Sequence, residues 1–134
     1  MTDLAVTDTH ALIWYGLGRS KKLGRRSRSL FERADAGEAA LYIPTIVLVE
    51  VGEALWRGRI SLEGGFESWT EALFASGNFL CVDLTRDIVE RAESLYAIPE
   101  RGDRLIAATA VSLDCPLVTR DEKIGKTAGV ETVW

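Results

Sequence analysis

Apolar positions in this chain follow two rhythms, and the rhythms alternate. Short aliphatic or β-branched runs predict strands at Leu4 to Thr7, Ala39 to Ile43, Phe79 to Leu84, Leu117 to Thr119 and Gly129 to Trp134. Between them, apolar residues recur at the spacing of helical faces. Ala11 to Leu17 forms the first helix, capped by Asp8 or Thr9 and ended by Gly16 and Gly18. Ser20 opens a second helical region, with Leu23, Leu30, Phe31 and Ala34 on its apolar side, and Gly37 stops it. Pro44 closes the second strand, and Thr45 caps a helix that runs to about Trp56 or Arg57 before Gly58. Ser61 opens the next, carrying Phe66, Trp69, Leu73 and Phe74 up to Gly77-Asn78. Thr85 begins a helix with Ile88, Val89, Ala92 and Leu95, broken by Pro99. Asp103 heads the next helix, which Cys115-Pro116 ends, and Asp121-Glu122 opens one short turn.

Strands alternating with helices imply an α/β fold in three αβα layers, a parallel sheet of about five strands flanked by helices. Crossovers in such sheets are right-handed. An order of 3-2-1-4-5 would set the carboxyl ends of strands one and four side by side, where these sheets bind their ligands. At 134 residues, without repeat, low-complexity tract or linker, the chain reads as a single domain over 1–134.

Composition changes this picture little; charge changes it more. An apolar share of 47% with 27% charged residues is ordinary for a soluble globular protein. The most apolar run, Ile46 to Val51, contains Glu50 and is far too short to span a membrane. The acidic start, Met1-Thr2-Asp3, is unlike a signal peptide, so a cytoplasmic protein is expected. Cys81 and Cys115 sit in apolar segments and are expected as buried free thiols, which suits a reducing compartment. Net charge is −4, yet Arg19, Lys21, Lys22, Arg25, Arg26 and Arg28 crowd into ten residues. Such a run is either a solvated helix face or a strip that attracts phosphates through its local field.

The candidate chemistry lies in the acids. Asp8 ends the first strand and Asp121 follows the fourth. Asp103 shares a helix face with Ile106, Ala107, Ala110 and Val111, so it heads the buried stripe. All three also suit helix N-caps, each worth about 1 kcal/mol, and the residues alone leave both readings standing. Glu50, Glu53 and Arg57 follow the spacing of an amphipathic polar face, which is either solvated or lines a cleft. His10 is the only histidine, and with no second His or Cys nearby it reads as structural rather than as a zinc ligand. No G-x-S-x-G elbow or phosphate-binding G-x-x-x-x-G-K-[ST] loop is present. Tryptophans 14, 56, 69 and 134 are expected in the core or at an interface.

Three stretches carry a resemblance. Asp8-Thr9-His10-Ala11-Leu12-Ile13-Trp14, Gly102-Asp103-Arg104-Leu105-Ile106-Ala107-Ala108-Thr109-Ala110 and Leu117-Val118-Thr119-Arg120-Asp121 together resemble the PIN-domain family. Within it the likeness is to VapC-type toxins of bacterial toxin–antitoxin pairs, in length, spacing and motif order over essentially the whole chain. The resemblance implies a PIN-like fold and an endoribonuclease dependent on Mg²⁺ or Mn²⁺. Its motif acids fall on Asp8, Glu50, Asp103 and Asp121. Asp8, Asp103 and Asp121 are then metal ligands, and Glu50 is either a ligand or the group that orients water. Thr9, Thr119 and Glu53 would support them, while Arg19, Arg25, Arg26 and Arg104 would contact RNA or antitoxin. An RNA substrate, a cognate antitoxin that silences the enzyme and a homodimer are the implied partners. One departure stands out: Pro44-Thr45-Ile46-Val47 precedes Glu50, where the family often carries serines.

Two other readings compete. An acid-cluster phosphatase or phosphoacceptor domain also places an Asp after strand one, although His10 stands where haloacid-dehalogenase-like phosphatases need a second Asp. A catalytically inactive module that keeps the PIN fold for binding is the other.

Overall fold

Strand β1 (Leu4–Thr7) lies at the centre of the sheet, and its residues show why: Ala5, Val6 and Thr7 are wholly buried. A strand covered on both faces has no polar side to show, which is why it reads as a continuous apolar run. The computed structural model describes residues 3–127 and 129–134. Strands β2 (Ala40–Pro44), β3 (Phe79–Val82), β4 (Leu117–Val118) and β5 (Thr132–Val133) complete a five-stranded sheet in the order β3-β2-β1-β4-β5. Every pairing is parallel, with Val6 opposite Tyr42 on one side and Leu117 on the other. The chain steps outward from β1 to β3, then jumps back across β1 to β4. That reversal is the switch point of the sheet, and connections of the usual right-handed sense would put helices on opposite faces on its two sides.

The helices are α1 (Thr9–Gly16), α2 (Arg25–Asp35), α3 (Thr45–Trp56), α4 (Gly65–Ala75), α5 (Arg86–Glu93), α6 (Arg101–Ser112) and α7 (Glu122–Gly125). Helices α2 and α3 pack on β2, and α6 packs on β1 and reaches α3. Phe31, Leu12, Leu41, Ile43, Ile106 and Leu117 are the largest fully buried side chains of the core. Ala107, Ala108 and Ala110 let α6 lie close to the sheet. Among the described residues no helix is long and apolar enough to cross a membrane.

Several expected boundaries move, each for a local reason. The basic region is not one helix from Ser20: a tight turn at Ser20–Lys22 is followed by α2 after Gly24. At Gly24 a Cβ would lie 2.5 Å from the backbone carbon of Trp134, so the chain passes there with no room for a side chain. Thr45 does not cap α3. Pro44 holds the cap position, and the Thr45 hydroxyl accepts from Leu84 N at 3.2 Å, tying the end of β3 to α3. Helix α4 starts four residues beyond Ser61, after Gly64 turns the chain at φ 76°. Strands β3, β4 and β5 are shorter than their apolar runs, and α5 ends at Glu93, well before Pro99. Thr85 does cap α5, accepting from Ile88 N at 3.2 Å.

The thiols are free, but Cys81 is exposed on β3 and Cys115 is only half-buried, so the expectation of two buried cysteines fails. Cys81 stands on β3, the edge strand of the sheet, where the adjacent Leu80 is exposed too. Trp56 departs in the same way: it is 71% exposed, whereas Trp14, Trp69 and Trp134 pack against the core.

Candidate active site

Asp8 is where the site begins. The Asp8 amide donates to Val118 O at 3.1 Å, continuing the β1–β4 ladder one residue past the strand. Its Oδ1 accepts from Ala11 N at 2.9 Å and caps α1. Capping and a site role are compatible, because a carboxylate has more lone pairs than one cap consumes. Thr119, buried at the end of β4, links the two strand ends. It hydrogen-bonds the Asp8 carboxylate through its side chain, and its Oγ1 accepts from Asp121 N at 3.2 Å. Asp121 in turn caps the short α7 through Lys123 N at 2.9 Å.

Asp103 differs. Helix α6 starts at Arg101, and its cap is Glu100, whose Oε2 accepts from Asp103 N at 2.9 Å. Asp103 therefore lies inside the first turn and not at the head of the helix, and of its two open readings the capping one passes to Glu100. The Asp103 carboxylate makes no capping bond and opens onto the cleft, while Ile106, Ala107 and Ala110 below it are buried. Glu50 comes from the middle of α3. The buried Thr9 hydroxyl donates to Glu50 Oε1, and Glu50 Oε2 rests on Gly102 of α6. Thus the polar face of α3 is the wall of a cleft, and both readings of Glu50 hold at once.

Asp8, His10, Trp14 and Asp103 form a shared wall between two lobes of about 530 and 350 Å³. The larger lobe adds Glu50, Glu53 and Glu100, with Arg19, Arg57 and Arg59 at its rim. The smaller adds Thr119, Arg120, Asp121 and Ile124. Trp14 organises the cations on this side: Arg120 lies 5.0 Å and Lys22 5.6 Å from its ring centroid.

The charges are poorly compensated. Burial pushes the Asp103 carboxyl up to about 6, and the negative neighbours Glu100, Glu50, Asp8 and Asp121 push the same way. Burial also raises Asp8, against hydrogen bonds from Ala11 and Thr119 and the charges of His10 and Arg120. Glu50 is raised by burial and by Glu100, against the Thr9 hydrogen bond.

Not every residue singled out from the sequence arrives here. Arg19 does, but Arg25 and Arg26 line a separate pocket of about 570 Å³ with Leu30, Val133 and Trp134, which shares no lining residue with the acid lobes. Arg104 donates to the carbonyls of Ile98 (2.9 Å) and Pro99 (3.3 Å), strapping the loop before α6. Sequence reasoning missed Glu100, Arg59 and Arg120. Glu100 was findable, since a carboxylate three residues before Asp103 and directly after Pro99 suits an N-cap. Arg59 and Arg120 carried no signal, because only the folded chain sets them beside the acids.

The donor set is carboxylate oxygen, with a single imidazole and no thiol in either lobe, which fits a hard divalent cation such as Mg²⁺ or Mn²⁺ and not zinc. Among the described residues no three acidic, histidine or cysteine side chains are already closed around one point. The acids share one cleft and one excess of negative charge, which a bound cation would neutralise.

The PIN domain model matches residues 5–130 of the chain. No match was found among curated proteins. Solved structures with similar folds include VapBC2 from Rickettsia felis bound to a DNA fragment from its promoter, at 14% identity and TM-score 0.73, covering 97% of each chain. DNA-bound VapBC from Salmonella typhimurium matches at 17% identity and TM-score 0.67, over 99% of this chain and 98% of that one. A toxin–antitoxin complex from Klebsiella pneumoniae matches at 23% identity and TM-score 0.62, over 97% and 96%.

Proposed function

The chain belongs to the PIN-domain family, and on that premise we propose that it is a Mg²⁺- or Mn²⁺-dependent endoribonuclease, the toxin of a toxin–antitoxin pair. One observation supports this most: Asp103, relieved of capping by Glu100, lines both lobes of the cleft together with Asp8, with Glu50 in the larger lobe and Asp121 in the smaller. The similar structures are of VapBC and toxin–antitoxin complexes, which supports an antitoxin as partner. A homodimer working in the cytoplasm completes the reading.

Asp8, Asp103 and Asp121 would hold the cation, with Glu50 as a further ligand or as the group that orients the attacking water. A cation bound there supplies Lewis acidity and charge neutralisation at the scissile phosphate. Thr119 fixes the relative positions of Asp8 and Asp121, and Thr9 fixes Glu50. Arg19, Arg59 and Arg120 flank the acids and suit the phosphates on either side of the cleavage point.

Purified protein should cleave single-stranded RNA with Mn²⁺ and stop when the metal is chelated. Cleavage that is indifferent to chelation would sink the reading. The arginines give a second test. Replacing Arg19 and Arg59 with Gln should flatten the salt dependence of RNA binding by roughly 1.4 log units per log unit of salt, at about 0.7 per phosphate contact on a single strand. Replacing Arg25 and Arg26 should change that slope far less, since they line a different pocket. Equal effects from both pairs would mean that the RNA path is not confined to the acid cleft.

A further inference from the structure

Gly102 is buried at the second position of α6, where glycine is a poor choice. It costs about 0.5–1 kcal/mol against alanine inside a helix. Its backbone does not need glycine either, because Gly102 is absent from the residues with positive φ. The remaining reason is space. A Cβ at this position would fall far inside van der Waals contact of Glu50 Oε2, and 3.1 Å from both Glu50 Cδ and Glu100 Oε2. Two carboxylates therefore occupy the room that a side chain would take.

We propose that Gly102 is a positioning residue for Glu50: by having no side chain, it lets the Glu50 carboxylate lie over the head of α6, beside Asp103. The inference rests on the nuclease reading for its purpose but on geometry for its substance. Thr9 holds Glu50 from one side through Oε1, and the bare α-carbon of Gly102 is the floor under Oε2. Neither carboxylate gains from the other's company, since Glu50 and Glu100 are like charges. The arrangement does not serve the stability of the metal-free fold; it serves whatever cation the acids share. The atoms that a methyl group would strike are the far ends of flexible side chains, so the displaced part is the carboxylate and not the backbone.

The test is Gly102→Ala in the intact protein, alone and combined with Glu50→Ala. Three results are expected of the single variant. Its melting temperature stays at or slightly above that of wild type. A metal-free crystal structure shows the Glu50 carboxylate moved and its bond from Thr9 lost. Mn²⁺ affinity, titrated without RNA, falls by about tenfold or more, the size of effect expected when a group that orients ligands is lost. In the Glu50→Ala background, adding Gly102→Ala should change Mn²⁺ affinity by less than about twofold, because the Glu50 carboxylate is gone and only Glu100 Oε2, at 3.1 Å, has to give slightly. An unmoved Glu50, an equal loss in both backgrounds, or a melting temperature lowered by about 10 °C or more would each overturn the proposal. If wild-type protein neither binds Mn²⁺ nor cleaves RNA, the nuclease reading fails, and the position of Glu50 in the variant still decides the role of Gly102.

Discussion

Asp8→Asn and Asp103→Asn are each expected to lower RNA cleavage by on the order of a thousandfold while leaving the fold as stable as wild type, or more so. The two halves of that expectation come from the same geometry. Asparagine is as good an N-cap as aspartate, so Asn at position 8 keeps the bond from Ala11 N that holds the start of α1. Asp103 caps nothing, because Glu100 does, so its replacement leaves α6 intact. Both carboxyls are raised by burial, and Asp103 is raised further by four acidic neighbours, so removing a charge relieves the folded state. A site that stores repulsion for function gains stability when it is disarmed. Cleavage rates and melting curves on the same preparations check this. RNA loss that persists in both variants would mean a contaminating ribonuclease and remove the enzymatic assignment.

The second large effect is on pH and metal. Without metal, the contribution of Asp103 to stability should decline as pH rises from about 4 to about 6. An unfolded aspartate ionises near 3.8, whereas Asp103 in the folded chain holds its proton up to about 6. Between those values the folded state carries a proton that the unfolded chain has released, so raising the pH draws the balance toward unfolding. Asp8 and Glu50 shift in the same direction. A divalent cation competes with those protons, so Mn²⁺ should stabilise little near pH 4.5 and most above pH 7. At a hundred times its dissociation constant a bound ion adds about 2.7 kcal/mol. Melting curves across pH, with and without Mn²⁺, should show this crossover in wild type and a weaker one in Asp103→Asn. Identical pH profiles for the two proteins would place the titrating group elsewhere.

Much of the frame was legible in the sequence because it rests on local rules. Alternating strands and helices predict a parallel sheet with helices on both faces; the order 3-2-1-4-5 entered as the condition for the strand-end acids to meet, and in the fold it sets Asp8 beside Thr119 and Asp121. What escaped was decided by distant contacts. Gly24 breaks the basic region because Trp134 lies against it, more than a hundred residues away in sequence. Glu50 reads as solvated by its spacing, and only the approach of α6 turns that face into a wall. The basic run looked like one strip, yet its members divide between the acid cleft (Arg19), the ring of Trp14 (Lys22) and a separate pocket (Arg25 and Arg26). Cys81 and Trp56 sit in apolar surroundings along the chain but on open faces in the fold. Periodicity says which residues share a side of an element, and not what that side meets.

The central claim is that Asp8, Glu50, Asp103 and Asp121 form one site for a divalent cation. Titration of the RNA-free protein with Mn²⁺ at pH 7.5, followed by the loss of the free-ion electron paramagnetic signal, tests it most directly. Saturable binding in wild type that is lost or much weakened in both Asp8→Asn and Asp103→Asn is the predicted result. Absence of binding in wild type, or binding that survives both substitutions, would contradict it.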